Sequence, residues 1–418
     1  AARRMTATSP DLEQRIGRAF QLFWAGQSAS LIGDQITLIA LPLVAVTFAH
    51  GSPADVGLLG ACLRIPFLLV GLQAGVWVVR LGLARSMLAA DIVRGLAIAV
   101  VVIAIGLGAA DLWLLVIAVS AVGLATVFFQ VSYQSFVPEI VPQEGLWHAA
   151  NTRLTLSESL SLLIGPAVGG LVIGLLTLRG ALVLDVVTYA ASVVTLALIL
   201  VSRASTRTDP APTARVATRR AVWEGMRYVS RSPVLRAIMW TGAAYNLGAA
   251  MFETLLVLFG IQTLHAGPTE VGLAIGIGGI GFPLGSLLSS RFNSRVGMGP
   301  ALIWAAIPSV GGILVSALAF GRPALAVVAA GVFLVGIGQG CFGVNAITLR
   351  QRYSSPEMRA RATAVHRFVS WGALPGGALL GGFIGQVAGL RSALVCASVI
   401  ASLCFIPLLC SPLRVTRR

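Results

Sequence analysis

The sequence predicts an all-α membrane protein with twelve transmembrane helices arranged as two six-helix halves. Three observations support this fold class. The 418-residue chain is 57% hydrophobic and only 11% charged, and its mean hydropathy is +0.89. Its apolar runs are long enough to cross a bilayer, which takes about 20 residues of helix. They also fall into two sets of six on either side of one polar stretch.

We number the twelve apolar runs as spans 1 to 12. Spans 1 to 6 are predicted at 20–49, 54–79, 86–108, 112–136, 151–177 and 180–202. Spans 7 to 12 are predicted at 234–262, 268–290, 299–320, 323–349, 362–387 and 390–411. This divides the chain into an N-terminal segment 1–19, a first half 20–202, a linker 203–232, a second half 233–411 and a tail 412–418.

The second part of the linker, from about Thr218, is predicted to be an amphipathic helix. Val222, Met226 and Val229 share one helical face, and arginines occupy the others. This pattern is typical of a helix that lies on an anionic membrane surface.

The distribution of arginine predicts the orientation. All 30 basic residues are arginine, and the 15 acidic residues leave a formal charge of +15. If the N-terminus is cytoplasmic, most arginines fall in cytoplasmic segments and only Arg179, Arg322 and Arg391 fall outside. Cytoplasmic loops carry such an excess. Both termini are therefore predicted to be cytoplasmic, and the charge needs no nucleic-acid partner.

Span 1 carries a carboxylate, Asp34, close to its middle. An ionisable group at this depth costs at least roughly 2.5–3.5 kcal/mol on insertion scales, so it usually serves a polar pathway or a partner. Asp34 is the first candidate for proton coupling. Glu253 is the second, because span 7 takes the place of span 1 in the second half, and Glu158 in span 5 is the third. The alternatives are a structural ion pair for Asp34 and a solvated mouth position for each glutamate.

Arg64 in span 2 is a plausible partner for Asp34 if spans 1 and 2 pack side by side in the bundle. Pairing would keep Asp34 ionised and make it a poor proton carrier, whereas an Arg64 that reaches outward would leave Asp34 as a candidate proton site. The sequence leaves both readings open. Asp91 and Arg94 lie one turn apart on span 3 and are predicted to pair, as a structural ion pair or gate support. Asp185, near the start of span 6, is interpreted as interfacial.

Several polar side chains at intramembrane depth are candidates for substrate binding. They suit hydrogen bonds to a substrate and suit interhelical hydrogen bonds equally well. The set comprises Gln27, Arg64, Gln130, Tyr133, Gln134, Asn246, Gln339 and Asn345.

An enzyme is not predicted, because the sequence shows no nucleophile–base set, metal cluster or phosphate loop. The run Gly276–Gly281 matches GxGxxG but lies inside an apolar stretch with no strand before it, so it predicts close helix packing. The five cysteines lack metal-ligand or disulfide spacing. No cofactor and no metal site are expected.

Short motifs occur along the chain in the order found in one transporter family. They are Gly33-Asp34 with Ala40-Leu-Pro42, Val137-Pro138 with Ala150-Asn151, Gly165-Pro166 with Gly169-Gly170, Gly225-Met-Arg227-Tyr with Pro233-Val-Leu235-Arg236, and Arg359-Ala-Arg361. Together they resemble the major facilitator superfamily, and most of all its twelve-span bacterial drug-exporter branch, which includes macrolide-efflux-like and siderophore-exporter-like proteins. The resemblance covers about residues 20–410.

The resemblance implies a monomeric secondary transporter in the bacterial cytoplasmic membrane, surrounded by lipid. It would export a small amphiphilic compound in exchange for protons by alternating access of its two halves. Alternatives are export of one native metabolite such as a siderophore, proton-coupled uptake, or a non-transporting scaffold or receptor.

The resemblance also implies gating or structural roles for two regions. Gly165, Pro166, Gly169 and Gly170 would keep span 5 bent and close-packed. The loop before span 3 departs from the family pattern, because Val79 stands before Arg80 where an acid is expected. The gating role implied for that acid is therefore in doubt, or passes to Asp91 and Arg94.

Overall fold

The computed structural model describes residues 17–203, 219–321, 323–355 and 357–415. Among these residues, eleven helices are long and apolar enough to cross a membrane. One of them, Glu144–Ser202, contains both span 5 and span 6. The twelve predicted spans are therefore confirmed. The predicted N-terminal segment up to residue 16, Arg322 and the linker stretch 204–218 lie outside the described residues.

The first half contains spans 1 to 6. Their helices are Arg18–Thr47, Pro53–Leu81, Leu83–Gly106 and Leu112–Ile140 for spans 1 to 4, then a short 3-10 turn, Glu144–Leu146, and one element, Trp147–Arg203, for spans 5 and 6. That element is broken at Thr177. The linker helix that follows is Arg219–Arg231.

The second half contains spans 7 to 12. Span 7 is Pro233–Leu258 with a π-helical turn, Phe259–Thr263, and span 8 is Pro268–Gly279 with Gly281–Val296. Spans 9 to 11 are Met298–Ala317, Ala324–Tyr353 and Arg359–Ala388, and span 12 is Leu390–Ser402 with Phe405–Leu409, followed by a 3-10 turn, Pro412–Val415.

Short connections make consecutive spans run in opposite directions, which defines two ends of the bundle. We call the end where span 1 begins and span 2 ends the arginine-rich end, because Arg80, Arg153 and Arg291 lie there. The other end, where span 2 begins, is called the opposite end.

The spans group into four three-helix units, 1–3, 4–6, 7–9 and 10–12. In each unit a single residue joins the second helix to the third. Gly82 joins spans 2 and 3 (φ 86°, ψ 141°), Gly297 joins spans 8 and 9 (φ 87°, ψ 158°), and Gly389 joins spans 11 and 12 (φ 86°, ψ 157°). The equivalent joint between spans 5 and 6 is Thr177 (φ 70°, ψ 167°). This backbone region is open almost only to glycine. The chain is therefore built from four three-helix units with the same joint, and only Thr177 carries a side chain there.

Two of the three arginines predicted to lie outside are placed at helix ends. Arg391, at the start of span 12, donates hydrogen bonds to the carbonyl oxygens of Ala317 (2.6 Å) and Ala319 (2.8 Å), where span 9 ends. Arg179 holds the equivalent place beside Gly106, where span 3 ends. A cation is favoured at a helix C-terminus, where carbonyls lack partners. These contacts with helix ends explain why Arg179 and Arg391 lie at the end of the bundle that has few arginines.

The linker helix packs on the protein, which corrects the prediction of a membrane-surface helix. Val229 is buried in a cluster with Leu235 and Val365, and Met226 packs against it. Glu224 pairs with Arg361 at 2.7 Å on span 11. The apolar face finds a protein surface because the arginine-rich ends of spans 7 and 11 present apolar side chains beneath it. The side chain of Val222 lies outside the described residues.

Candidate functional site

A polar network fills the contact between spans 1, 3 and 6, within otherwise apolar helices. Span 1 supplies Asp34, span 3 supplies Asp91 and Arg94, and span 6 supplies Tyr189 and Ser192. We call these five residues the first-half polar cluster. The helical repeat places Asp91 and Arg94 on one face of span 3, and Tyr189 and Ser192 on one face of span 6.

Arg94 is the centre of this cluster and is only 2% exposed. Its guanidinium forms an ion pair with Asp91, as predicted, and lies 3.5 Å from Asp34 Oδ2. The Phe129 ring covers the guanidinium at 4.2 Å, and the Tyr189 ring lies at 4.9 Å. Two carboxylates therefore share one buried guanidinium, and two aromatic rings pack against it in cation–π contacts.

Asp91 is fully buried and has a second partner on span 6. Ser192 Oγ donates a 2.5 Å hydrogen bond to Asp91 Oδ2 and accepts one of 2.9 Å from Gln27 Nε2. Gln27 is 2% exposed, so in this conformation it makes an interhelical bond and does not face a substrate.

Asp34 is the accessible member of the cluster. Its side chain is 38% exposed, whereas Arg94 and Asp91 are buried. Tyr189 donates a 2.5 Å hydrogen bond from its hydroxyl to Asp34 Oδ1. A proton or a ligand can therefore reach Asp34 directly, and any change of charge at Asp34 acts on Arg94 behind it.

The partner of Asp34 is Arg94, and the plausible pairing with Arg64 is wrong. Arg64 instead lies 3.5 Å from Glu253 Oε2 and donates a 3.1 Å hydrogen bond to the Gly60 carbonyl. The side chains of Arg64 and Glu253 are 22% and 49% exposed. Since Arg64 belongs to span 2 and Glu253 to span 7, this ion pair connects the two halves.

Asp185 is fully buried, so its interpretation as an interfacial residue is wrong. It accepts hydrogen bonds from the hydroxyls of Thr37 on span 1 and Thr188 on its own helix. Its depth along the helix suggested the interface, but the contact between spans 1 and 6 covers it from the side.

The remaining first-half candidates lie around spans 4 and 5. Glu158 is partly exposed and close enough to the Tyr133 hydroxyl to interact with it electrostatically. The Tyr133 ring stacks on Phe129 at 5.9 Å, and Gln130 is exposed. The side chain of Gln134 lies outside the described residues.

The second-half amides all make interhelical hydrogen bonds. Asn246 donates to the Ser370 carbonyl at 2.8 Å, and Gln339 donates to the Tyr245 hydroxyl at 3.1 Å. Both are partly exposed. Asn345 is fully buried and accepts a 2.6 Å bond from Asn293. In this conformation Asn345 therefore belongs to the packed interior of the second half.

The glycines of span 5 serve two contacts. Gly165 and Gly169 face span 1, where a Cβ on Gly169 would lie 3.2 Å from Ile36 Cα. Gly170 faces the second half, where a Cβ would lie 2.5 Å from the Pro268 carbonyl and 3.0 Å from Gly272 Cα. Span 5 therefore packs tightly on both span 1 and span 8.

The same glycine contact occurs a second time between the halves. A Cβ on Gly57 of span 2 would lie 2.6 Å from the Ala378 carbonyl and 2.8 Å from Gly382 Cα of span 11. Gly57 and Gly272 lie in the first turns of spans 2 and 8. We call Gly57–Gly382 and Gly170–Gly272 the two glycine crossings. They bring the halves into backbone contact at the opposite end.

Arg80 is exposed at the arginine-rich end, and none of the salt bridges between described residues involves it. Asp91 and Arg94 are buried within the first half and joined to Asp34. These two residues therefore belong to the intramembrane cluster.

The sequence interpretation missed the polar face of span 6. Asp185, Thr188, Tyr189 and Ser192 follow each other at helical spacing, and each of the four lies against span 1 or span 3. The signal was present, since polar residues at i, i+3, i+4 and i+7 of an apolar helix mark one face.

Comparison with known proteins identifies the family. The family model described as transmembrane secretion effector matches residues 10–418. The multidrug efflux pump Tap of Mycolicibacterium fortuitum is 26% identical over 88% of this chain and 89% of its own length. Macrolide efflux protein A of Streptococcus pyogenes is 23% identical over 66% of this chain and 67% of its own length.

A solved structure supports the fold. A bacterial homologue of the iron transporter ferroportin, in an inward-facing state, superposes with a TM-score of 0.71. The match covers 94% of this chain and 98% of that one at 15% identity, which shows a shared fold only. With the family model spanning nearly the whole length, the chain belongs to the transmembrane secretion effector family of the major facilitator superfamily, whose members are transporters.

Proposed function

We propose that this protein exports small amphiphilic, drug-like compounds across the bacterial cytoplasmic membrane in exchange for protons. It works as a monomer with both termini in the cytoplasm, by alternating access of its two halves. The names of the efflux relatives support the substrate class. The arginine bias supports the orientation, with the arginine-rich end inside.

The observation that carries the proposal is the geometry of Asp34. It is the exposed carboxylate of a cluster whose other charges are buried, and it shares Arg94 with Asp91. Adding a proton to Asp34 leaves Arg94 with Asp91 alone, so the charge of the cluster changes where a substrate can sense it. Arg94 and Tyr189 therefore couple protonation of Asp34 to the packing of spans 1, 3 and 6.

The contacts between the halves support alternating access. The two glycine crossings and the Arg64–Glu253 pair join the halves toward the opposite end. This is a conformation closed at the outer side, in which substrate enters from the arginine-rich end. After the switch, a proton from outside protonates Asp34, the substrate leaves, and the protonated carrier resets. Glu253 is the second coupling carboxylate, and Glu158 near Tyr133 is the third.

The test is proton-gradient-driven transport in proteoliposomes, with erythromycin and ethidium as probes. We expect Asp34→Asn to lose proton-driven flux by about tenfold or more, which corresponds to about 1.4 kcal/mol or more. Downhill exchange of the probe should persist. Glu253→Gln should show a smaller loss. The matched controls are Asp111→Asn and Glu144→Gln, which neutralise exposed carboxylates outside the spans.

Two results contradict the proposal. If both Asp34→Asn and Glu253→Gln transport and couple like the wild type, neither carboxylate carries the proton. If a gradient drives the probes in the uptake direction, the protein is an importer. A panel of unrelated compounds separates broad export from export of one metabolite.

A further inference from the structure

Asp185 is a buried carboxylate that the mechanism above leaves unused. Its side chain is fully buried, and its oxygens accept from the hydroxyls of Thr37 and Thr188, the latter at 3.2 Å. No salt bridge reaches Asp185 from a basic side chain among the described residues. Asp91 is equally buried, but it has Arg94 as a direct partner. The two aspartates therefore differ in charge compensation.

Gly33 brings Asp185 against span 1, next to Asp34 in the chain. A Cβ at Gly33 would overlap the Thr188 hydroxyl and a carboxylate oxygen of Asp185. Any side chain at this position would push span 6 away. Asp185 of span 6 thus rests against Gly33, and the accessible carboxylate of Asp34 belongs to the next residue of span 1. The two carboxylates therefore lie beside the same turn of span 1.

The charged and titratable groups that act on Asp185 come from every helix of the cluster. They are Asp34 on span 1, Arg94 on span 3 and Tyr189 on span 6. Arg94 already serves Asp34 and Asp91. Three ionised aspartates around one guanidinium would carry a net charge of two negative units inside the helix bundle. A buried charge without a partner costs several kcal/mol, and one proton bound to Asp185 lowers the net charge of the group to one negative unit.

We propose that Asp185 is a further proton-carrying carboxylate of this transporter, covered by span 1 and loaded together with Asp34. In the conformation described here it holds a proton on one oxygen. That proton is taken up from the outer side in the other conformation, together with the proton on Asp34. It leaves to water or to ionised Asp34 in the conformation described here, when a loosening of the contact between spans 1 and 6 lets the O–H bond break. Thr37 and Thr188 can stay hydrogen-bonded to Asp185 in both of its protonation states, because a hydroxyl can donate to a carboxylate or accept from a carboxylic acid.

This inference rests on the proposed proton coupling, but its first test does not need transport. Infrared difference spectra of the reconstituted wild type and Asp185→Asn compare the carbonyl stretch of protonated carboxyls between about pH 5 and about pH 9. Asparagine keeps an acceptor for both threonines but cannot bind a proton. We expect a protonated-carboxyl band in the wild type that Asp185→Asn lacks and that the control Glu144→Gln retains. Identical band patterns in the wild type and Asp185→Asn would overturn the proposal and leave Asp185 as a structural contact.

Transport supplies the second test, with erythromycin as the probe. The number of protons moved per probe molecule should fall by about one in Asp185→Asn, and its pH dependence should become shallower, as expected when one site of a coupled set is removed. An unchanged proton count would overturn the proposal. If the wild type shows no proton-driven flux, the proposed function fails, and the infrared band still decides the protonation of Asp185.

A third variant covers the case in which Asp185→Asn does not fold. Thr37→Val keeps the carboxyl and removes the hydrogen bond that span 1 donates to it. A protonated Asp185 then shows a shifted carbonyl band, whereas an unchanged band in this variant overturns the proposal.

Discussion

Arg64 of span 2 lies 3.5 Å from Glu253 of span 7, and this ion pair joins the first half of the transporter to the second. The two residues lie near Gly60 and Thr254, where a Cβ on Gly60 would be 3.0 Å from the Thr254 side chain. The pair therefore forms at the contact between the halves, and the proposed opening of the opposite end would separate it.

The first prediction concerns this pair. Arg64→Gln or Glu253→Gln should shift the conformational equilibrium toward opening at the opposite end. Partly exposed pairs contribute about 0.2–1 kcal/mol, so the population ratio should change by up to about fivefold. Leu107 and Phe320 are exposed at the opposite end, one in each half. The distance between spin labels at these two positions, measured by electron paramagnetic resonance, reports the shift. The swap Arg64→Glu with Glu253→Arg should restore the wild-type distribution, and a swap that behaves like the single variants would refute the pair.

The second prediction concerns the glycine crossings. Gly57→Ala should disfavour the conformation closed at the opposite end, because its Cβ would lie 2.6 Å from the Ala378 carbonyl. Overpacking of this kind costs about 1–3 kcal/mol, which is about a 5- to 150-fold change in population. The control is Gly75→Ala in the same helix, where a Cβ meets nothing within 4 Å. The same spin-label pair reports the result, and equal distances in both variants would contradict the closure role.

The third prediction concerns Arg94. Arg94→Gln should reduce thermal stability strongly, because it leaves Asp91 buried with no cation, at a cost of about 3–5 kcal/mol. Adding Asp91→Asn should recover much of this loss, since it removes the buried charge. Unfolding followed by intrinsic fluorescence gives the melting temperatures. Arg85→Gln, at an exposed position, is the control and should change little. Failure of Asp91→Asn to rescue would mean that Arg94 acts mainly through its aromatic contacts.

The fourth prediction concerns Thr177, which carries a side chain at φ 70°, ψ 167°. Thr177→Gly should stabilise the protein by about 1 kcal/mol, because relief of about 1–3 kcal/mol of backbone strain exceeds the entropic cost of glycine. Gly389→Thr, at the equivalent joint, should have the opposite effect. A higher melting temperature for Thr177→Gly and a lower one for Gly389→Thr bear this out, and a lower one for Thr177→Gly counts against it.

The twelve spans and the position of a carboxylate, Asp34, within the first of them were predictable from local properties of the chain. Lipid demands long apolar helices whose backbone bonds are made within the helix, so hydropathy alone locates them. A carboxylate in the middle of such a helix stands out for the same reason. The Asp91–Arg94 pair was also predictable, because one turn of one helix brings the two side chains together.

The partners of Arg64 and Asp34 were not predictable in this way. Depth along the helix made Arg64 a plausible partner of Asp34, yet span 2 presents Arg64 to span 7 and span 3 presents Arg94 to Asp34. Such choices depend on the rotation of each helix about its axis and on its neighbours. Asp185 was not predictable for the same reason. Its position near the start of span 6 predicted a place at the membrane interface, but span 1 packs against it from the side and excludes water.

The sequence by itself determined the class of the protein, the number of spans, the arginine bias and the presence of a costly charge in span 1. Each of these follows from the transfer of side chains between water and lipid, which is a local property. The tertiary structure decided which partner each charged side chain meets. Asp34 meets Arg94, Arg64 meets Glu253, and Asp185 meets the hydroxyls of two threonines. It did so because close helix contacts, made possible by glycines such as Gly33 and Gly57, fix the helix rotations that bring distant residues together.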